Sequence, residues 1–325
     1  MSVLHNVCIV GGAGFIGGHM VDELLSRPEG GRVTVYDNFT SGREWHLAAH
    51  LDDPRLTIVR GEASSIDDLT NALQGHDTVI HLASNPDIAK AMTDPTIDFY
   101  EGTLLTHCVV ESARRAGVSL VLYASGSGVY GEIGEIEAWE DYGPLVPVST
   151  YGASKLAGEA LISSYCHMFG MRGAAFRFGN VVGPRQTHGV GYDFVRKLAA
   201  DPTSLAIMGD GSQSKSYIHV DDVIAAVFGV ATGTADVFRV YNVATGDYIT
   251  VTEIAELAID VLGLDPETVR LDYAGGDRGW KGDVPIVRLN TDRIQSTGWT
   301  CQLRTAEALR ASLFAISDQV NSGNG

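Results

Sequence analysis

The stretch Val7-Cys8-Ile9-Val10-Gly11-Gly12-Ala13-Gly14-Phe15-Ile16-Gly17 decides the fold. Its first four residues are apolar and read as a buried strand. Glycines at 11, 14 and 17 follow at once, and an amphipathic segment runs on to about Ser26. The order is strand, glycine turn, helix. Small residues permit a tight turn and let the backbone approach a pyrophosphate at the helix N-terminus. Gly11, Gly14, Phe15, Ile16 and Gly17 are therefore candidate cofactor-binding residues. A second strand, 32–36, ends at Asp37, twenty residues beyond Gly17. At that distance an acidic side chain can bond both hydroxyls of an adenine ribose and repel a 2′-phosphate. The spacing predicts NAD rather than NADP, with the nearby Arg43 pulling slightly the other way.

Strand-like runs recur at 56–60, 78–82 and 120–124, with helical patterns at 65–74, 95–116 and 151–169 between or after them. This alternation predicts an α/β fold, a Rossmann-type doubly wound parallel sheet covered on both faces. A further strand, Arg172–Phe178, follows. Beyond it the alternation loosens, with helices expected at 192–200, 220–232, 251–262 and 305–319. Glycine-rich loops such as Gly209-Asp210-Gly211 lie between them. The expected organisation is an NAD-binding domain over 1–178 and a smaller, mainly substrate-binding C-terminal lobe over 179–325, the chain crossing back to the first domain.

With 325 residues and 45% apolar content, the chain can bury a sizeable core. Its formal net charge of −17 repels nucleic acid and anionic membrane, so neither is expected as a partner. Cys8, Cys108, Cys166 and Cys301 are isolated in apolar surroundings and read as reduced residues of a cytoplasmic protein. Residues 1–6 lack the basic region of a signal peptide, no apolar run is long enough to span a bilayer, and the tail 320–325 should fray. His46 and His50 lack the glutamate of a zinc-protease helix, and no metal site is expected.

Tyr151-Gly152-Ala153-Ser154-Lys155 follows a turn-rich run, Gly143-Pro144-Leu145-Val146-Pro147, and a Ser149-Thr150 pair able to cap a helix. Four residues apart on a helix, Tyr151 and Lys155 share a face. An ammonium beside a phenol favours the phenolate, so the pair is a candidate general acid/base. In the later loops Lys215, Arg278 and Lys281 are candidates to neutralise a diphosphate. Ordinary solvated charge is the alternative for each.

Taken in order, these residues resemble the extended short-chain dehydrogenase/reductase family, and within it the UDP-glucose 4-epimerase branch of nucleotide-sugar enzymes. The similarity runs through Gly11 to Gly17, Asp37 to Arg43, His81-Leu82-Ala83, Val129-Tyr130-Gly131 and Tyr151 to Lys155. It continues through Asn180 to Arg185, Gly209 to Gly211, Lys215 to Val220 and Arg278 to Pro285. The resemblance implies further NAD contacts at Asn38, Ser41, Gly42, Glu62, Ala63, Leu82, Ala83 and Ser84. It implies that Tyr151 takes the proton of a sugar 4-hydroxyl while hydride passes from C4 to NAD and returns to the other face of a 4-keto sugar. Lys155 would bond the nicotinamide ribose. Asn180 would meet the sugar nucleotide, and Lys215 and Arg278 its diphosphate. Relatives pair two long helices, here 95–116 and 151–169, so a homodimer is expected.

Two positions depart from the family pattern. Gly126 stands where the family has Ser or Thr, four residues before Tyr130. Gly102 is the position that alignment gives for a family Asn. Either Ser125, Ser127 or an ordered water replaces the hydroxyl or the site has lost it, and the two absent side chains predict room for a bulkier sugar. The expected reaction is 4-epimerisation of a UDP-hexose. A 4-keto reductase, dehydratase or decarboxylase on the same scaffold, or a non-catalytic nucleotide-binding protein, are the alternatives. Dehydratases place Asp-Glu where this chain has Ser127-Gly128, and decarboxylases commonly keep an acidic residue there. Retention of Tyr151 and Lys155 argues against a mere binding protein.

Overall fold

The strand β1 (Val7–Val10) is apolar at every position, and all four residues are buried. Such a strand needs cover on both faces, which helices flanking a parallel sheet provide. In the computed structural model, which describes residues 4–233 and 236–323, β1 is followed by α1 (Phe15–Ser26), β2 (Val33–Asp37), β3 (Leu56–Arg60), α2 (Ile66–Ala72) and β4 (Thr78–His81). Then come α3 (Leu105–Ala116), β5 (Leu120–Gly126), β6 (Glu137–Ala138), α4 (Thr150–Phe169) and β7 (Arg172–Phe178). The second half holds β8 (Asn180–Val182), α5 (Val190–Ala200), β9 (Ser204–Ile207), β10 (Ser214–Lys215), β11 (Tyr217–His219), α6 (Val220–Gly233) and β12 (Phe238–Val243). It closes with β13 (Ile249–Thr250), α7 (Val251–Val261), β14 (Arg270–Tyr273), β15 (Arg288–Leu289), α8 (Asp292–Gln295) and α9 (Thr305–Asn321).

Seven strands form the main sheet in the order β12-β7-β5-β4-β1-β2-β3, all parallel. Side chains alternate across it. Val7 and Ile9 of β1 enter one core with α1 and α6, while Cys8 and Val10 enter the opposite core with α2, α3 and α4. Each fully buried Val or Ile stabilises the fold by roughly 1.5–3 kcal/mol. A third core gathers α5, α7, α9 and β9. Strand β12, for which no strand was expected, returns from the second half to pair with β7, from Phe238 opposite Gly173 to Val243 opposite Phe178.

The predicted helix 95–116 divides. A 3₁₀ turn at Ile88–Met92 precedes it, Phe99–Leu104 forms a π-helical turn, and regular α-helix begins only at Leu105. At the chain ends, residues 1–3 and 324–325, to which the signal-peptide and fraying expectations partly refer, lie outside the described residues. Among the described residues no helix is long and apolar enough to cross a membrane.

Candidate active site

Strand order reverses between β1 and β4, and open parallel sheets hold ligands in the crevice that such a reversal leaves at the carboxyl ends. Gly11 sits there with φ +85°, and a Cβ on it would lie 2.7 Å from the Ala83 amide nitrogen. A Cβ on Gly17 would lie 2.6 Å from the Gly11 carbonyl oxygen. Glycine is required at both positions. Helix α1 starts after Gly14 with no side-chain cap and no acidic residue in its first turn. Its N–H groups and positive dipole end are open to an anion.

The Asp37 carboxylate accepts the Ala13 N–H at 2.9 Å on one oxygen and the Phe39 N–H at 2.8 Å on the other. A carboxylate offers about four lone-pair sites, so capacity for two ribose hydroxyls remains. Gly42 packs on Asp37, where a Cβ would lie 2.9 Å from the carboxylate. Asn38 donates to Glu62 at 3.1 Å, with Ala63 buried beside it and Ser41 exposed. Phe15 is buried, Ile16 half-buried, and Leu82 and Ala83 present the backbone that Gly11 meets. A cradle with no room for Cβ atoms, an uncapped helix start and a carboxylate ending β2 fit a dinucleotide with a free 2′-hydroxyl.

Across the crevice, the Ser149 hydroxyl accepts the Gly152 N–H at 3.0 Å and so caps α4, presenting Tyr151 and Lys155 on its first turns. Lys155 is buried, donates to the Ala124 carbonyl at 2.9 Å, and lies 5.3 Å from the centre of the Tyr151 ring. Burial pulls Lys155 down to about 8, against the opposing pull of the Asp98 charge. Burial pushes the Tyr151 phenol up to about 12, eased by the nearby Ser84 hydroxyl and aggravated by Asp98. Desolvation of the phenol dominates, and the ammonium is bonded to a carbonyl.

The two serine stand-ins separate. Ser125 is buried and its hydroxyl donates to Glu159 at 2.6 Å. Arg177 holds the same carboxylate through bonds of 2.9 and 2.7 Å and reaches the Tyr130 hydroxyl at 2.9 Å. Ser125 thus belongs to a buried ion-pair network and is not free to replace the hydroxyl missing at Gly126. Ser127 is half-exposed, and its hydroxyl makes no hydrogen bond within the protein among the described residues. The two glycines separate as well. A Cβ on Gly126 would meet nothing within 4 Å, so room exists there. A Cβ on Gly102 would lie 2.5 Å from the Ser154 hydroxyl oxygen and 2.7 Å from its Cβ. The expectation of extra space fails at Gly102, because Ser154 fills it.

Asn180, Lys215 and Arg278 come together. Asn180 donates to the Ser216 carbonyl at 3.2 Å, next to Lys215. Lys215 pairs with Asp283, whose backbone carbonyl accepts from Arg278 at 3.0 Å. Arg278 also donates to Glu132 at 2.7 Å. Gly282 of the same loop lies against Ser149, so this cluster abuts the start of α4. One buried polar group beside Tyr151, Asp98, was missed. It lay inside a predicted helix with no sequence signal to distinguish it from a surface carboxylate.

Residues 7–244 match the model of the NAD dependent epimerase/dehydratase family. The UDP-glucose 4-epimerase of Mycolicibacterium smegmatis is 32% identical over 93% of this chain and 95% of its own. A solved UDP-galactose 4-epimerase is 34% identical, with a TM-score of 0.85 over 97% of this chain and 99% of its own. A double mutant of DesIV, the dTDP-glucose 4,6-dehydratase of Streptomyces venezuelae, solved with NAD bound, is 28% identical, with a TM-score of 0.88 over 97% of this chain and 98% of its own. The chain belongs to the NAD dependent epimerase/dehydratase family as an extended short-chain dehydrogenase/reductase, and its cofactor is NAD.

Proposed function

We propose that the protein epimerises a nucleotide sugar at C4, with a UDP-hexose of the UDP-glucose/UDP-galactose type as substrate and a transient 4-keto sugar as intermediate. The observation that carries this reading is the Tyr151/Lys155 pair on the first turns of α4, facing the crevice whose other wall is the Gly11 to Gly17 turn. Bound NAD supplies the hydride acceptor and donor and, in its oxidised form, a positive charge. Burial raises the Tyr151 phenol, and the Lys155 ammonium on the same face of α4 would favour its phenolate. Tyr151 then accepts the proton of the 4-hydroxyl and later gives it back. Lys155 has N–H donors left beyond its bond to Ala124 and holds the cofactor ribose. Lys215 and Arg278, converging on Asp283, receive the diphosphate, with Asn180 beside them.

Dehydratase relatives are as similar in fold as epimerases, so the choice rests on side chains. Elimination of water needs an acid and a base near the adjoining carbon, and Ser127 and Gly128 supply no carboxylate there. The open space at Gly126 also leaves room for a sugar bulkier than galactose. The assembly we favour is a cytoplasmic homodimer. Four unpaired cysteines support the compartment. Exposed Phe99, Tyr100, Met168 and Phe169, beside α3 and at the end of α4, support pairing of those helices. The purified protein should carry UDP-glucose and UDP-galactose to one common ratio. Tyr151→Phe should still bind them and turn them over at least ~100-fold more slowly. If the wild type leaves these sugars and their N-acetyl and uronic acid forms unchanged, yet binds them as Tyr151→Phe does, a non-catalytic binding role replaces this reading.

A further inference from the structure

Asp98 is 1% exposed and stands just ahead of the π-helical turn. One carboxylate oxygen accepts the Asn85 side-chain N–H at 2.9 Å, and the other accepts the Thr150 hydroxyl at 2.6 Å. Thr150 is the first residue of α4 and precedes Tyr151. Asn85 is itself fixed in the loop after β4, donating to the Asp87 carbonyl at 2.9 Å and accepting the Asp87 N–H at 3.0 Å. Both partners of Asp98 are neutral. A buried carboxylate bonded only to neutral groups is costly to keep ionised. A neutral amide could make both bonds. What it could not do is bring negative charge to the cleft.

The other groups facing the pair do not supply that charge. The Ser84 hydroxyl near Tyr151 is uncharged. His81 of β4, near Lys155, is held neutral by burial, down to about 3. Tyr123 of β5, whose ring centre is 5.2 Å from the Lys155 nitrogen, is pushed up by burial and stays protonated. Glu159, further along α4, is neutralised by Arg177.

We propose that Asp98 is a positioning residue for the Tyr151/Lys155 pair: through its bonds to Asn85 and Thr150 it fastens the first turn of α4 to the loop after β4 and sets a carboxylate beside the pair. The inference rests on reading Tyr151 and Lys155 as the acid/base pair. Against the effect of burial, Asp98 is the group that supports the charged form of Lys155.

Asp98→Asn keeps the shape and can keep both bonds, with Thr150 turning from donor to acceptor, while the charge is lost. The side-chain carbon resonance of Lys155 in protein carrying 13C-labelled lysine, assigned with a Lys155→Arg control and followed across a pH series by NMR, reports the Lys155 midpoint without requiring turnover. The wild-type midpoint is expected at about 8. In Asp98→Asn it should fall by about one pH unit, a tenfold loss of the charged fraction above it. The basic limb of kcat/KM should move down with it, and Asp98→Glu should restore both. Thr150→Val keeps the charge, so it should leave the midpoint in place and lower kcat with little change in KM. A folded Asp98→Asn whose Lys155 titrates like the wild type overturns the charge role, and a Thr150→Val enzyme with wild-type kcat overturns the fastening role. If the midpoint shifts while the wild type turns over no nucleotide sugar, the inference about Asp98 stands and the epimerase reading falls.

Discussion

Ser125 and Ser127 are two positions apart in sequence, yet their hydroxyls meet different surroundings. Ser125 donates into a buried carboxylate that Arg177 already holds in two places. Removing that donor leaves a buried oxygen short of a partner, so Ser125→Ala should destabilise the protein by about 1–3 kcal/mol in urea unfolding and change kcat little. Ser127, half-exposed and without a protein partner, should show the converse. Ser127→Ala should leave the unfolding midpoint alone and lower kcat about fivefold, the equivalent of one orienting hydrogen bond of ~1 kcal/mol. The opposite pattern in the two variants would return the role to Ser125. Nothing in the sequence separated these serines, because what distinguishes them is a glutamate 34 residues away on α4.

At the scale of elements, the contact between the π-helical turn Phe99–Leu104 and α4 matters most. Gly102 lies in that turn against Ser154, one residue before Lys155. A methyl group there must push α4 or the turn away. Gly102→Ala should therefore destabilise by about 1–3 kcal/mol through overpacking. Ser154→Gly in the same chain should relieve part of that cost, and a coupling above about 0.5 kcal/mol in a double-mutant cycle is the expected reading. Simple additivity would mean that the two residues do not press on one another. The apolar pattern of 95–116 read as one helix because a π turn shifts the register without breaking the periodicity. The glycine turn at 11–17 was legible for the opposite reason: strand, turn and helix start are contiguous, so the signal is local. The partners of Asp98 are 13 and 52 residues distant, and no local pattern marks them.

At the scale of the molecule, the parallel sheet was legible because inner strands such as β1 are apolar on both faces, whereas β12 pairs with β7 only after the chain has passed through β8 to α6. The same sheet buries groups that decide how the whole protein responds to acid. With 40 acidic against 23 basic residues, mild acidification relieves surface repulsion and should stabilise. Buried histidines act the other way. His81 on β4 shares a hydrogen bond with the Thr106 hydroxyl at 2.9 Å, and its second ring nitrogen is buried without a partner. Burial holds it down to about 3, from an ordinary 6.5. Between those values the unfolded chain carries a proton on this ring that the native chain does not. Stability therefore falls as pH falls through that window, by at most roughly 1.4 kcal/mol per unit for this one group. His19, His46 and His76 are shifted in the same direction by burial, so the wild-type decline is a sum. His81→Asn should flatten the dependence of unfolding free energy on pH between about pH 6 and 4.5 by up to one proton's worth, leaving the remaining slope to the others. A variant whose slope equals the wild type's would mean that His81 takes up its proton in the native state, and that this end of β4 is open to water.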